Sequence, residues 1–553
     1  MHLNEVAESV KQGIWAAGRV PYNLPVVSLG ETQVKPTAML WRNMAAMAME
    51  EMFRANPLDG LVLLGGCDKT ILSLLMATAS VNLPAVVVPG GPMLTGHFPG
   101  EALGCGTDVW RLSEEVRSGT ITNGQFLASE QATIRSKGHC NTMGTASTMA
   151  VVAEALGMTI PLFAGIPAAD ARLLSMSYDT GRLIVDMVTQ GPKPSDIMTK
   201  KSFLNAIVAV AAAAGSTNSV LNLLAIAGRC GIDLTLADFD AAGAGVPVLA
   251  NFQPSAKFLM DDLHRAGGVL ALLSQTKDLL HAEPIAVAGF PLVENLVDRP
   301  VYDDTVILPR SAPLMADAGI AVLRGNLAPG GAIIKPSAAT PELLQHTGPA
   351  VVFDSIEDMR ARIDDPELGV TTDSALVLRG CGPRGYPGTP EVVNVPLPRK
   401  LLEQGVLDMV RISDARMSGT AYDTVILHIA PEAAAGGSLA FVRTGNMITV
   451  DVENRTLNTD VSDEELRSRS QSLASEAAYA APVRGWSKLY VEHVMQADTG
   501  ADLDFLVGAS GDKVSRESHK AGVACAGDAH LNRAWHRYRS CSPARGGRVD
   551  ERV

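Results

Sequence analysis

Between Leu61 and Pro92 the chain changes texture in an order that few folds allow. Leu61–Leu64 is an apolar run that reads as a buried strand and stops at Gly65-Gly66-Cys67. Thr70–Ser80 then reads as a helix, and Ala85–Val88 as a second strand closed by Gly90-Gly91-Pro92. Strand, helix and strand in close succession imply parallel strands joined by a crossover helix, in a sheet with helices on both faces. Ligands gather at the carboxyl ends of strands in such sheets. Cys67 lies at one of those ends. Upstream, Pro36 to Ala55 reads as a helix with an apolar face, its proline sitting near the first turn.

The texture changes after about residue 305. Short strand-like runs now dominate: Ala321–Leu323, Ala332–Lys335, Ala350–Phe353, Ala375–Leu378, Val410–Ile412 and Met447–Val452. Turns such as Ala328-Pro329-Gly330-Gly331 separate them. The expected fold class is α/β, with an N-terminal parallel-sheet α/β domain over residues 1–305 and a strand-rich, barrel-like domain over 306–519. Residues 520–553 carry six arginines among Gly, Ser and Ala, from Arg533 to Arg552, and read as a basic, disordered tail.

Composition excludes several functions. A net charge of −13 argues against nucleic-acid binding. The longest run of small apolar residues, Ala206 to Ala214, is too short to span a bilayer. Met1 to Val10 is polar with a helical pattern, not a signal peptide. Seven cysteines scattered over 553 residues make no disulfide framework, so a reducing cytoplasm is expected.

Two of those cysteines stand in unusual company. Cys67-Asp68-Lys69 puts a thiol, a carboxylate and an amine side by side, and Cys140 sits in Gly138-His139-Cys140-Asn141-Thr142-Met143. Thiolates favour soft metals such as the iron of iron–sulfur clusters, whereas carboxylate oxygens favour Mg2+. Taken alone, each residue also has an ordinary reading. A free cysteine packs like an apolar group, Asp68 and Lys69 could pair weakly at the surface, and Ser418 in Met417-Ser418-Gly419 could be a turn residue. Cys105, Cys230, Cys381, Cys525 and Cys541 have no comparable neighbours and read as structural or exposed thiols.

The order of motifs along the chain resembles one family, that of dihydroxy-acid, phosphogluconate and sugar-acid dehydratases. The matching stretches run from His2-Leu3-Asn4 through Ser28-Leu29-Gly30-Glu31, Gly66-Cys67-Asp68-Lys69-Thr70, Gly138 to Met149, Gly215-Ser216-Thr217-Asn218, Gly382 to Glu391 and Ser413 to Gly419. Thr142-Met143-Gly144-Thr145-Ala146-Ser147, together with Glu31, resembles the pentonate and hexonate branch, including enzymes acting on L-arabinonate, more than the branched-chain branch.

The resemblance implies a hydro-lyase that converts a sugar acid to a 2-keto-3-deoxy acid in sugar catabolism, working as a homodimer or homotetramer. It implies an iron–sulfur cluster of the 2Fe–2S type on Cys67 and Cys140. It also implies Mg2+ on Glu31, Asp68, Glu391 and a carbamylated Lys69, with Ser418 as an alkoxide base and Thr420 as a polar substrate contact. The alternatives are a branched-chain dihydroxy-acid dehydratase and a non-catalytic member. The last arises because the family's third cluster cysteine precedes a histidine that His2 matches. That cysteine would fall ahead of Met1, so weak or absent cluster binding is expected of the chain as written.

Overall fold

The computed structural model describes residues 2–31, 33–98, 100–317, 319–392, 395–473 and 482–511. The tail expected over 520–553 lies outside the described residues, as do His519, Cys525 and Cys541.

The strand–helix–strand unit forms as the sequence predicts. Strands β1 (Leu61–Gly65) and β2 (Ala85–Pro89) pair in parallel, with Leu61 opposite Ala85 and Gly65 opposite Pro89. The crossover helix, Asp68–Val81, is buried along its whole length, as its run of Ile71, Leu72, Leu74, Leu75 and Met76 requires. Among the described residues the sheet has two strands. Its further cover comes from the helices His2–Ala16 and Ala171–Gln190, while the alanine-rich helix Thr145–Ala155 packs on the crossover helix and Lys200–Ala212 packs on it in turn. The helix predicted from Pro36 runs over Ala38–Ala55, capped by Thr37, whose hydroxyl accepts from the Met39 amide at 3.2 Å. A short hairpin of β3 (Gly96–Phe98) and β4 (Glu101–Leu103) follows β2.

The second half builds an eight-stranded sheet from β5 (Ala321–Leu323), β6 (Gly331–Ile334), β7 (Gln345–Phe353), β8 (Ala375–Leu378), β9 (Arg411–Ser413), β10 (Val425–Ala430), β11 (Met447–Asp451) and β12 (Thr456–Thr459). Their order is β12-β11-β7-β8-β9-β10-β6-β5. The central four, β7 to β10, run parallel, and the flanking pairs are antiparallel. The two edges meet where the Arg324 amide donates to the Arg455 carbonyl and the Leu457 amide donates to the Arg324 carbonyl, each at 2.9 Å. The sheet is therefore a nearly closed barrel, and its edges are largely removed.

Alternation along the strands divides the core. Ala350 and Val352 of β7 pack inside with Ile334, Val377, Ile412 and Ile426, while Val351 and Phe353 face the outer cluster with Leu376, Leu378 and Met409. Among the described residues, no helix is long and apolar enough to cross a membrane.

Candidate active site

The end of β1 delivers Cys67 as the N-cap of the buried helix, with Asp68 and Lys69 in its first turn. A second loop is laid against the end of β2. The His139 amide donates to the Gly91 carbonyl at 3.0 Å, and the Met93 amide donates to the His139 carbonyl at 2.9 Å. This pairing carries Cys140 to the same edge as Cys67. Gly138, at φ 134°, is needed for the approach, since a Cβ there would lie 2.4 Å from the Met93 amide nitrogen.

Lys69 is the centre of the carboxylate cluster. Its Nζ lies 2.8 Å from Asp68 Oδ2, 2.9 Å from Glu391 Oε1 and 3.1 Å from Glu31 Oε2. Arg416 adds a second cation, with Nη1 2.7 Å from Glu391 Oε1. Glu31 also accepts from the Thr37 hydroxyl at 2.5 Å and the Ala38 amide at 3.2 Å, so it sits at a helix N-terminus where a carboxylate is favoured. Burial disfavours the Lys69 ammonium, but Asp68 and Glu391 outweigh it and hold the amine well above its ordinary value. Burial likewise opposes Glu391 ionisation, and Lys69 and Arg416 overcome it.

The thiols lie next to this cluster. Cys67 Sγ donates to Asp68 Oδ1 at 2.9 Å. Burial and the Asp68 charge push this thiol far above its ordinary value. Cys140 Sγ lies 3.6 Å from Cys105 Sγ. The contact gives Cys105, read from the sequence as a structural or exposed thiol, a thiol neighbour, because the Gly104-Cys105-Gly106 turn folds back onto the Cys140 loop. The Cys105 amide donates to Asn141 Oδ1 at 2.8 Å, which fixes that turn. Cys381 is fully buried in the outer barrel core, and Cys230 packs at the edge of the N-terminal core.

Ser418 and Thr420 come from the loop after β9. Asp414 anchors that loop by accepting three backbone amides, from Gly380, Cys381 and Ala433. Asn218 Nδ2 donates to the Met417 carbonyl at 3.0 Å. Ser418 Oγ and Thr420 Oγ1 share a hydrogen bond of 2.8 Å, and Trp110 Nε1 donates to Thr420 Oγ1 at 3.2 Å. A Cβ on Gly419 would lie 2.5 Å from the Thr145 amide nitrogen, and one on Gly106 would lie 2.3 Å from Thr420 Oγ1. The serine loop is thus seated directly on the segments that follow Cys140 and Cys105.

The structure brings Glu31, Asp68, Lys69 and Glu391 into one cluster, sets Cys67 beside it, and packs Ser418 and Thr420 onto the Cys140 and Cys105 segments. Sequence reasoning gave no role to Arg416, Thr37 or Cys105. Arg416 lay within a quoted motif. Nothing in the spacing of Cys105 and Cys140 announces their contact.

The donor types fit the two groups expected here. Thiols suit iron and clustered carboxylate oxygens suit Mg2+. Among the described residues, no three His, Cys, Asp or Glu side chains are grouped tightly enough to hold one ion as they stand. The carboxylates are instead drawn around the Lys69 ammonium.

Family models match both halves of the chain. Residues 1–295 match the dihydroxy-acid/6-phosphogluconate dehydratase N-terminal model, and residues 305–501 match the C-terminal model of the same name. An L-arabinonate dehydratase of Rhizobium leguminosarum bv. trifolii is 52% identical, covering 94% of this chain and 90% of the relative. An L-arabonate dehydratase of Azospirillum brasilense is 50% identical over the same shares. A dihydroxy-acid dehydratase of Halothermothrix orenii is 35% identical, covering 91% of each chain. With both halves matched in order, the chain belongs to the dihydroxy-acid/6-phosphogluconate dehydratase family and is a dehydratase, a hydro-lyase.

Proposed function

We propose that the protein removes water from a sugar acid, a pentonate or hexonate such as L-arabinonate, to give a 2-keto-3-deoxy acid. One observation carries the reading: Glu31, Asp68 and Glu391, from distant parts of the chain, converge within 3.1 Å of Lys69 Nζ. That cage would hold Mg2+ through the three carboxylates and a carbamylated Lys69, because carbamylation turns the ammonium into an oxygen donor. Cys67 and Cys140 would hold an iron–sulfur cluster. When bound, the two groups supply Lewis acidity for the substrate carboxylate and for the leaving 3-hydroxyl.

The remaining work falls to the chain. Ser418 Oγ is the base that takes the proton from C2. A serine hydroxyl is a poor base near its free pKa and needs a partner to ionise. Thr420 contacts the substrate and orients Ser418 through their shared hydrogen bond. Arg416 keeps Glu391 ionised. Ser216, Thr217 and Ser418 line one cavity and bring three hydroxyl groups to it, which suits a polyol. The N-terminal unit, to about residue 305, would carry most of the ligands. The following unit would carry Ser418 and Glu391.

The test is turnover of arabinonate, xylonate, galactonate, gluconate and dihydroxyisovalerate by anaerobically reconstituted protein. A 2-keto-3-deoxy acid from one or more sugar acids, at a rate well above turnover of dihydroxyisovalerate, supports the reading. Preference for dihydroxyisovalerate would replace it with the branched-chain reaction.

A further inference from the structure

Lys335 follows directly on β6 and is 8% exposed. Its Nζ is buried and has no hydrogen-bond partner among the described residues. A buried, unpaired amine is costly and needs an explanation. It lines the same cavity as Ser418, with Ser216, Thr217, Met417 and Tyr422. Two other titratable groups face that cavity, and both are engaged. Asp423 Oδ2 accepts from Arg411 Nη1 at 2.9 Å, and Tyr422 donates to Glu114 Oε2 at 3.4 Å.

We infer that Lys335 is the proton acceptor that activates Ser418, so that the two side chains act as a serine–lysine pair across their shared cavity. The inference rests on the dehydration proposed above for its place in turnover. Lys335 acts through Ser418 and is a positioning residue, not a substrate contact. Burial alone lowers its amine to about 7, so a neutral amine is available near neutral pH. Catalytic hydrogen bonds are commonly long before substrate binds, which accommodates a Ser418–Lys335 separation beyond contact.

The proton count closes. Ser418 Oγ takes the C2 proton while its own hydroxyl proton passes to the Lys335 amine. The C2–H electron pair becomes the C2–C3 π bond, and the 3-hydroxyl leaves with its bonding pair. The Ser418 hydroxyl gives its proton to that hydroxide, making water, and is restored by the Lys335 ammonium proton; the enol ketonises by moving its hydroxyl proton to C3.

The test does not depend on knowing the substrate. Methanesulfonyl fluoride is small, and an activated serine displaces its fluoride, forming an O–S bond and passing its proton to the base. Labelling of Ser418, read by mass spectrometry across pH, is compared in wild type, Lys335→Met and Lys335→Arg. We expect wild-type labelling to rise with a midpoint of about 7. Both variants should label about 100-fold more slowly, since arginine stays charged. Lys335→Met should melt no lower than wild type, because it removes an unpaired buried amine. Ethylamine should restore labelling to Lys335→Ala, a rescue that the neighbouring Asp423 could not mimic. Absence of Ser418 labelling in wild type, or equal rates in wild type and Lys335→Met, would overturn the pairing. Sugar-acid turnover in the same preparations is scored separately. Turnover with no Lys335-dependent labelling sinks the pair alone, and Lys335-dependent labelling with no turnover sinks the dehydration alone.

Discussion

Lys69 Nζ and Glu391 Oε1 lie 2.9 Å apart although 322 positions separate them in sequence. One stands in the first turn of the helix after β1, the other on the approach to the serine loop beside Arg416. The contact joins the first-half motif Cys67-Asp68-Lys69 to the second half of the chain at the point where chemistry is proposed. The halves are thus coupled through buried charge as well as through packing.

Removing one partner of that contact leaves the others buried and unbalanced. Glu391→Leu should lower stability by about 3–5 kcal/mol, as for a buried pair broken on one side. Chemical denaturation of both proteins checks this. A loss below about 1 kcal/mol would mean that solvent already screens the cluster.

The cysteines should separate by location. Cys67→Ser and Cys140→Ser should each reduce iron bound per chain after anaerobic reconstitution. Cys381→Ser and Cys230→Ser, set in or against apolar cores, should leave it unchanged. Iron and sulfide analysis decides, and equal iron in all four variants would remove the thiols from the proposed site.

Gly419→Ala places a methyl group where the Thr145 amide nitrogen is only 2.5 Å away. The serine loop must move, at a cost of about 1–3 kcal/mol. Thermal melting should show the loss, and kcat should fall more steeply than stability because Ser418 is the adjacent residue.

His428, which is not among the proposed ligands, supplies a pH dependence of its own. It lies in β10, and burial, aided by Arg416, lowers it to about 3. The folded state therefore refuses a proton that the unfolded chain accepts below about 6.5. This contribution is complete above that pH and is lost as pH falls toward 3, at up to about 1.4 kcal/mol per pH unit. At φ 57° the position suits asparagine. His428→Asn should flatten the stability curve between pH 6.5 and 5, whatever its absolute stability. An unchanged slope would show that His428 titrates normally.

Much of this arrangement was legible in the residues. Leu61–Leu64 and Ala85–Val88 announced their strands because buried parallel strands are continuous apolar runs. The breadth of the parallel sheet was not legible, since the alanine-rich segments that follow became helices packed around the crossover helix. Thr456–Thr459 was invisible as a strand because only Leu457 is apolar, and its pairing with β11 and its bridge to Arg324 are tertiary facts. Cys67, Lys69 and Ser418 stood out through their motifs. Cys105 and Lys335 did not, because a thiol beside a distant thiol and an amine without a partner are visible only once the chain is folded.

The most direct measurement is turnover of L-arabinonate by reconstituted wild type and Ser418→Ala, with release of the C2 hydrogen followed from 2-deuterated substrate. The account predicts a 2-keto-3-deoxy acid and deuterium release with wild type. It predicts a fall in kcat of about 100-fold or more with Ser418→Ala, with KM little changed. A Ser418→Ala protein that releases deuterium and forms product at the wild-type rate would contradict it.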